Sequence, residues 1–275
     1  MLSAVIVVLR EALEGAFIAS ILLASSQVLA IGRSWIFIAF VLGSLGAWGH
    51  VYYIEPINEW MGGVGQEVIN AVTLLIVCIM LAVRNILAVS FYGVDSAVKW
   101  SALLRLLSIA IVCLVMVREL NEIFVFGNSL AGSFNSFLPV LAGGSIGVGI
   151  GLSTGALFYS GLTYLPGRDN LRVSGVLLTL VAAGMASQSI QYLIQADFLP
   201  SQPPLWDSSA WVAETSITGQ ILYILFGYEA TPEPIQVAFY FVVIVLTGLA
   251  MVLVRYYSHI FHDEPKSEMS EVSSS

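Results

Sequence analysis

Seven stretches of about 20 mostly apolar residues follow one another along the chain, at about 3–30, 35–54, 68–90, 103–126, 138–165, 173–195 and 235–257. Each is long enough to cross a bilayer, and a soluble core of 275 residues cannot hide so much apolar surface. The charge content agrees: 10% of residues are charged, against roughly 25% in soluble globular domains. The stretches are too long for strands and do not alternate in polarity, and only helices or closed barrels satisfy their backbone groups in lipid. The fold class read from the sequence is therefore an all-α integral membrane protein with seven transmembrane helices. Residues 1–258 form one membrane domain, and 259–275, acidic and rich in serine, read as a disordered cytoplasmic tail.

The first stretch reads as a span rather than a cleaved leader, because it lacks a basic start and Arg10, Glu11 and Glu14 interrupt its apolar run. Cys78 and Cys113 both sit inside apolar runs and form no CxxC pair, so they read as buried apolar side chains. No phosphate-binding or dinucleotide-binding glycine motif occurs, so nothing points to ATP hydrolysis or a nicotinamide cofactor.

Apart from Arg10 and Arg118, the basic residues, Arg33, Arg84, Lys99, Arg105, Arg168, Arg172, Arg255 and Lys266, fall in or beside alternate connections and the tail. The other connections hold none and carry Glu55, Glu59, Glu67, Asp197, Asp207, Glu214, Glu229 and Glu233 instead. The positive-inside rule then puts the N-terminus outside and the C-terminus in the cytoplasm of a multi-pass protein of the cytoplasmic membrane. Arg84, at the end of the third span, reads as a cytoplasmic anchor.

One string occurs twice: Arg10-Glu11-Ala12-Leu13-Glu14 in span 1 and Arg118-Glu119-Leu120-Asn121-Glu122 in span 4, 108 residues apart. The same offset carries span 2 onto span 5 and span 3 onto span 6. This is the pattern of a three-helix repeat, and because three is odd the copies run with opposite topology. Repeat 1 covers about 1–95 and repeat 2 about 100–195; an external connection at about 196–234 and a seventh helix at about 235–257 follow. Within that connection Trp206, Trp211, Tyr223 and Phe226 read as an interfacial belt that anchors the loop, and 210–226, with Asp207, Ser208 and Ser209 as candidate caps, is the alternative as an amphipathic helix in the outer interface.

Within each string the arginine and both glutamates share one helix face. A charge at mid-span costs about 2.5–3.5 kcal/mol, so six of them facing lipid unpaired would cost roughly 15–20 kcal/mol. Arg10, Glu11, Glu14, Arg118, Glu119 and Glu122 must therefore face one another or a wet cavity. Three readings follow: a cation site, a proton path without metal, or an ion-pair network that only fixes helix register. Four carboxylates without a thiolate suit hard cations such as Fe³⁺, Mg²⁺, Ca²⁺ or Mn²⁺, and hold Fe²⁺ less tightly. An intramembrane enzyme would need a nucleophile, a cofactor motif or a histidine-ligated metal, and the spans offer none, so the chain reads as a transporter. Gly143, Gly147, Gly151 and Gly155 form a stripe on span 5 that suits close helix packing, and Ser187, Gln188, Gln191 and Gln195 form a polar stripe on span 6. His50 reads as an interfacial side chain outside the site.

The string LREALEG at Leu9 to Gly15, with the second REXXE at Arg118 to Glu122, resembles the oxidase-dependent iron permease family, which includes fungal high-affinity iron permeases and bacterial Efe-type permeases. Leu205-Trp206-Asp207-Ser208-Ser209 and Gly227-Tyr228-Glu229-Ala230-Thr231-Pro232, with Gln236 and Tyr240, resemble the bacterial branch. The resemblance implies import of iron as Fe²⁺ or Fe³⁺, with Glu11, Glu14, Glu119 and Glu122 as metal ligands supported by Arg10 and Arg118. It implies no permanently bound cofactor, since iron is the substrate. The partners it implies are membrane lipid, iron ions and a separate ferroxidase or periplasmic iron-handling protein; a homo-oligomer is compatible and no nucleic acid is expected. The second motif has Leu120-Asn121 between its glutamates, and the external connection has only Asp207 and Glu214 where fungal members carry Asp-Ala-Ser-Glu. A permease for another divalent metal, such as manganese or lead, is the alternative.

Overall fold

The computed structural model describes residues 2–90, 97–130 and 134–262. Its helices are α1 (Leu2–Val28), α2 (Trp35–Tyr52), α3 (Ile54–Glu59), α4 (Gly65–Ser90), α5 (Ala97–Leu130), α6 (Phe134–Thr163), α7 (Gly167–Gln195), α8 (Ile217–Phe226) and α9 (Pro234–His262). No strand occurs among the described residues. Six helices, α2, α4, α5, α6, α7 and α9, are long and apolar enough to cross a membrane. At 27 residues α1 also has the length, but Arg10, Glu11 and Glu14 lower its apolar character. The last long helix runs to His262, five residues past the expected end, and the acidic tail from Asp263 lies outside the described residues.

Local chemistry sets the ends. After α1, Ala30 turns into the left-handed region (φ 56°) and the Ile31 N–H reaches back to the Ser26 carbonyl at 2.9 Å, which satisfies a carbonyl that the helix leaves open. Asp197 does the same after α7, where Phe198 N–H bonds the Leu193 carbonyl at 3.0 Å. The helix read as the alternative over 210–226 starts only at Ile217, because Ser216 is the cap: its Oγ accepts the Gly219 N–H at 3.0 Å. Asp207 and Ser208 are used elsewhere, in a turn with Ser209 and in a bond to the Ala230 carbonyl.

The long helices pack in a reciprocal pattern. α1 lies mainly against α6 and also touches α5 and α7; α5 lies mainly against α2 and also touches α1 and α4; α4 and α7 pack along each other. The glycine stripe explains the closest of these contacts. A Cβ on Gly147, Gly151 or Gly155 would come within 2.7–2.8 Å of α1 atoms at Val5, Leu9, Ala12 or Ala16. The close approach also lets Ser20 Oγ donate to the Gly155 carbonyl at 2.7 Å. α7 is the central helix, buried along Ala182, Ala183, Gly184, Met185 and Ala186, where the alanines and the glycine let neighbours close in and Met185 fills the core. Large apolar side chains such as Phe37, Leu157 and Val252 point outward, as lipid-facing surfaces require.

Arg84 departs from expectation. It is not an anchor in water: it has 0% exposure and lies among α1, α4 and α5. Its Nη2 donates to Ser26 Oγ (3.3 Å) and the Leu22 carbonyl (3.4 Å), and its Nε donates to Ser108 Oγ (3.3 Å). The next residue, Asn85, ties α4 to the Gly175 carbonyl (2.8 Å) and Thr179 Oγ1 (2.9 Å) on α7.

Candidate metal centre

α1 and α5 bring all six motif residues into one cluster. Spacing of one, three and four residues keeps each triplet on one helix face, and the α1–α5 contact turns the two faces toward each other. Arg118 is the hub, with its side chain only 4% exposed. Its Nη1 lies 3.0 Å from Glu14 Oε1 and 2.9 Å from Glu119 Oε1, and its Nη2 lies 3.1 Å from Glu122 Oε1. Arg10 is held differently: its Nε lies 2.9 Å from Glu11 Oε1, its Nη2 is 3.8 Å from Glu122 Oε2, and its side chain is 39% exposed.

Carboxylate oxygens of Glu11, Glu14 and Glu119 lie within 4.8 Å of one another. These three residues are buried, and in each the Oε2 atom has no hydrogen-bond partner. Buried acceptors are almost always satisfied, so three buried, mutually adjacent carboxyl groups, each with an oxygen to spare, suit a bound cation or shared protons. Glu122 stands at the edge of this set, 19% exposed, and accepts the Tyr192 hydroxyl at 3.3 Å.

A cavity of about 450 Å³ reaches the cluster. Arg10, Tyr192, Tyr223 and Gln191 line it, together with Glu214, Glu229 and Glu233 of the 196–234 connection. The polar stripe of α7 thus splits: Gln191 and Gln195 line the cavity, whereas Ser187 and Gln188 are buried in the bundle. Sequence reasoning passed over Tyr192, although it lies within that stripe, and treated Tyr223 as part of an interfacial belt. Tyr223 instead turns inward, with its ring centre 5.6 Å from the Arg10 guanidinium carbon.

The connection is clasped to itself. Leu205 N–H bonds the Pro232 carbonyl (2.9 Å) and Ser208 N–H the Ala230 carbonyl (2.9 Å). Ser208 Oγ and the Tyr228 hydroxyl lie 2.7 Å apart, and the Ala230 N–H donates to Glu214 Oε1 (2.6 Å). Gly227 seats the clasp on α7: its φ of 65° is a left-handed turn, and its Cα lies so close to Gly184 that a Cβ on either would collide. Glu229, just beyond, accepts Gln236 Nε2 at 2.8 Å. Burial, with the neighbouring charges of Glu214 and Glu233, pushes the Glu229 carboxyl up to about 7.

Residues 1–261 match the model of the iron permease FTR1 family. The chain belongs to that family. Membership makes it a multi-pass membrane transporter of iron, and its helices agree. No curated protein and no solved structure matches the chain. In this iron permease both REXXE strings lie in the one buried cluster just described.

Proposed function

We propose that this permease imports iron across the cytoplasmic membrane, as Fe²⁺ or Fe³⁺, through a site formed by Glu11, Glu14, Glu119 and Glu122. The observation that carries the proposal is the set of three unpartnered Oε2 atoms on buried, mutually adjacent carboxylates. Four carboxylates and two guanidiniums sum to a charge of −2 when all are ionised. One divalent cation neutralises the cluster; in its absence protons and the arginine pairs do so. Cation binding therefore releases protons or opens Arg–Glu pairs. Arg10, wetter and more loosely held than Arg118, is the pair that opens first.

In this reading α1 is a seventh span, the N-terminus is outside, and α1–α4 and α5–α7 are inverted repeats. The exchange of partners between α1 and α5 supports it: α1 takes α6 and α7 where α5 takes α2 and α4. The cavity beside Arg10 is then the outer vestibule, whose carboxylates concentrate cations before the buried site. A separate ferroxidase or periplasmic iron-handling protein delivers iron to it, and self-association of the permease is measured in the same preparations.

Vestibular attraction depends on pH. Glu229 carries its proton below a pH of about 7 and is an anion above it. Fe²⁺ uptake is expected to rise across roughly pH 6 to 8, and Glu229→Gln is expected to flatten that rise. An unchanged profile in the variant removes Glu229 from the path.

The deciding assay is uptake of radioactive iron into proteoliposomes, offered as Fe²⁺ under reducing conditions or as chelated Fe³⁺, with manganese and lead as competitors. Saturable iron uptake that resists both competitors supports an iron site. Preferred uptake of manganese or lead supports the second reading, to which the oxygen-only ligand set is equally suited. Absence of any metal flux leaves the cluster as a structural network.

A further inference from the structure

Among the described residues, the cluster and the vestibule leave one buried charged side chain unused, Arg84. Arg84 is fully buried, and among the described residues it meets only neutral partners: two serine hydroxyls and one carbonyl. A buried guanidinium is costly without an anion, and three long bonds of 3.3–3.4 Å are weak compensation. Simple helix anchoring would be served better by an apolar side chain in that position.

Its place in the repeat suggests a purpose. The 108-residue offset between the two REXXE strings pairs Arg10 with Arg118 and Tyr192 with Arg84. Arg10 and Tyr192 both line the open cavity, where α1 meets α7. Their counterparts lie on α5 and α4, which meet elsewhere in the bundle. There the structure is shut. Arg84 ties α4 to α1 through Leu22 and Ser26 and to α5 through Ser108. Leu22 and Ser26 lie two to three turns past Glu14, or about 12–18 Å along α1 and away from the open cavity. Ile18, Ile21, Ile111 and Val115, all buried, fill the interior along these stretches of α1 and α5.

We propose that Arg84 closes the cytoplasmic exit of the transport path, and that this exit runs between α4 and α5 as the counterpart of the vestibule between α1 and α7. The inference rests on the inverted-repeat reading given under Proposed function. In the inward-open state the Arg84 guanidinium leaves Ser26 and Ser108 and enters water, which recovers its hydration and offsets the separation of the helices. Its positive charge also repels a cation until the exit has widened.

The test is thiol accessibility, which needs no metal. In a background with Cys78→Ala and Cys113→Ala, a cysteine replaces Ile111, which is buried one turn beyond Ser108 on the side of the carboxylate cluster. Inside-out vesicles are treated with a membrane-impermeant maleimide. Arg84→Gln is expected to speed labelling roughly tenfold, the scale set by losing one or two buried hydrogen bonds, and Arg84→Lys less. Ser26→Ala combined with Ser108→Ala removes both hydroxyl partners with little change of volume and is expected to act in the same direction, which decides the matter if Arg84→Gln does not fold. A cysteine replacing Ala182, buried in the α7 core, is expected to stay unlabelled throughout. Unchanged labelling at position 111 in both the Arg84→Gln and the double-serine proteins overturns the proposal. Equal labelling at 111 and 182 also overturns it, because it shows general loosening. Labelling as expected in a protein that moves no iron keeps the exit and removes only the cargo.

Discussion

Arg118→Met is expected to destabilise the permease by about 3–5 kcal/mol, the usual cost of removing one partner from a buried ion pair. Arg118 pairs with Glu14, Glu119 and Glu122 at once, and its removal takes the cluster from a charge of −2 to −3 at a site where three of the four carboxylates are buried. Arg10→Gln alters the charge by the same amount but at a side chain that already reaches the cavity, so its effect on stability is expected to be much smaller. The measurement is thermal unfolding in detergent at fixed pH. Adding Glu119→Gln to Arg118→Met restores the net charge and should recover part of the loss. Equal melting of the two single-arginine variants would show that the cluster is hydrated throughout.

The second large effect has the opposite signature. Glu14→Gln and Glu119→Gln each remove one converging anionic oxygen, and each is expected to lower iron uptake by roughly a hundredfold or more, at the upper end of what weaker metal-site substitutions cause. Stability should hold or rise, because an amide still accepts a hydrogen bond from Arg118 while the charge falls toward −1. Transport lost with melting unchanged separates a cation site from a network that only pins helices. Normal transport in both variants would remove these oxygens from the path.

The difference between what could be read from the chain and what could not follows the physics of each signal. Long apolar runs fix the long helices because lipid accepts almost nothing else, and no boundary of a long helix moved by more than six residues. The six motif charges are found together for the same reason: in an apolar medium their alternatives were few. The glycine stripe was legible because its four-residue period places every glycine on one face, and that face is where α6 meets α1. Arg84 was misplaced because a basic residue near the end of a span usually reaches water. What buries it is two serines, 58 and 24 residues away in the sequence, and neither is distinctive alone. α8 starts late because the choice among Asp207, Ser208, Ser209 and Ser216 as cap is settled by tertiary bonds to Tyr228 and Ala230, which no local pattern contains. Tyr223 was missed for a related reason: an aromatic residue in a membrane-proximal segment looks the same whether it faces lipid headgroups or a cavity.

The clasp formed by residues 205–233 has a consequence for how this protein can change. Its bonds run mostly from one part of the connection to another, with Gly227 on Gly184 as its tight seat on α7. The carboxylates at the mouth of the cavity are thus carried by a small, self-braced attachment, and the machinery that moves is built from separate parts. Divergence can rework which ions are gathered, and at what acidity, while the helices beneath keep the geometry that their interlocking glycines demand.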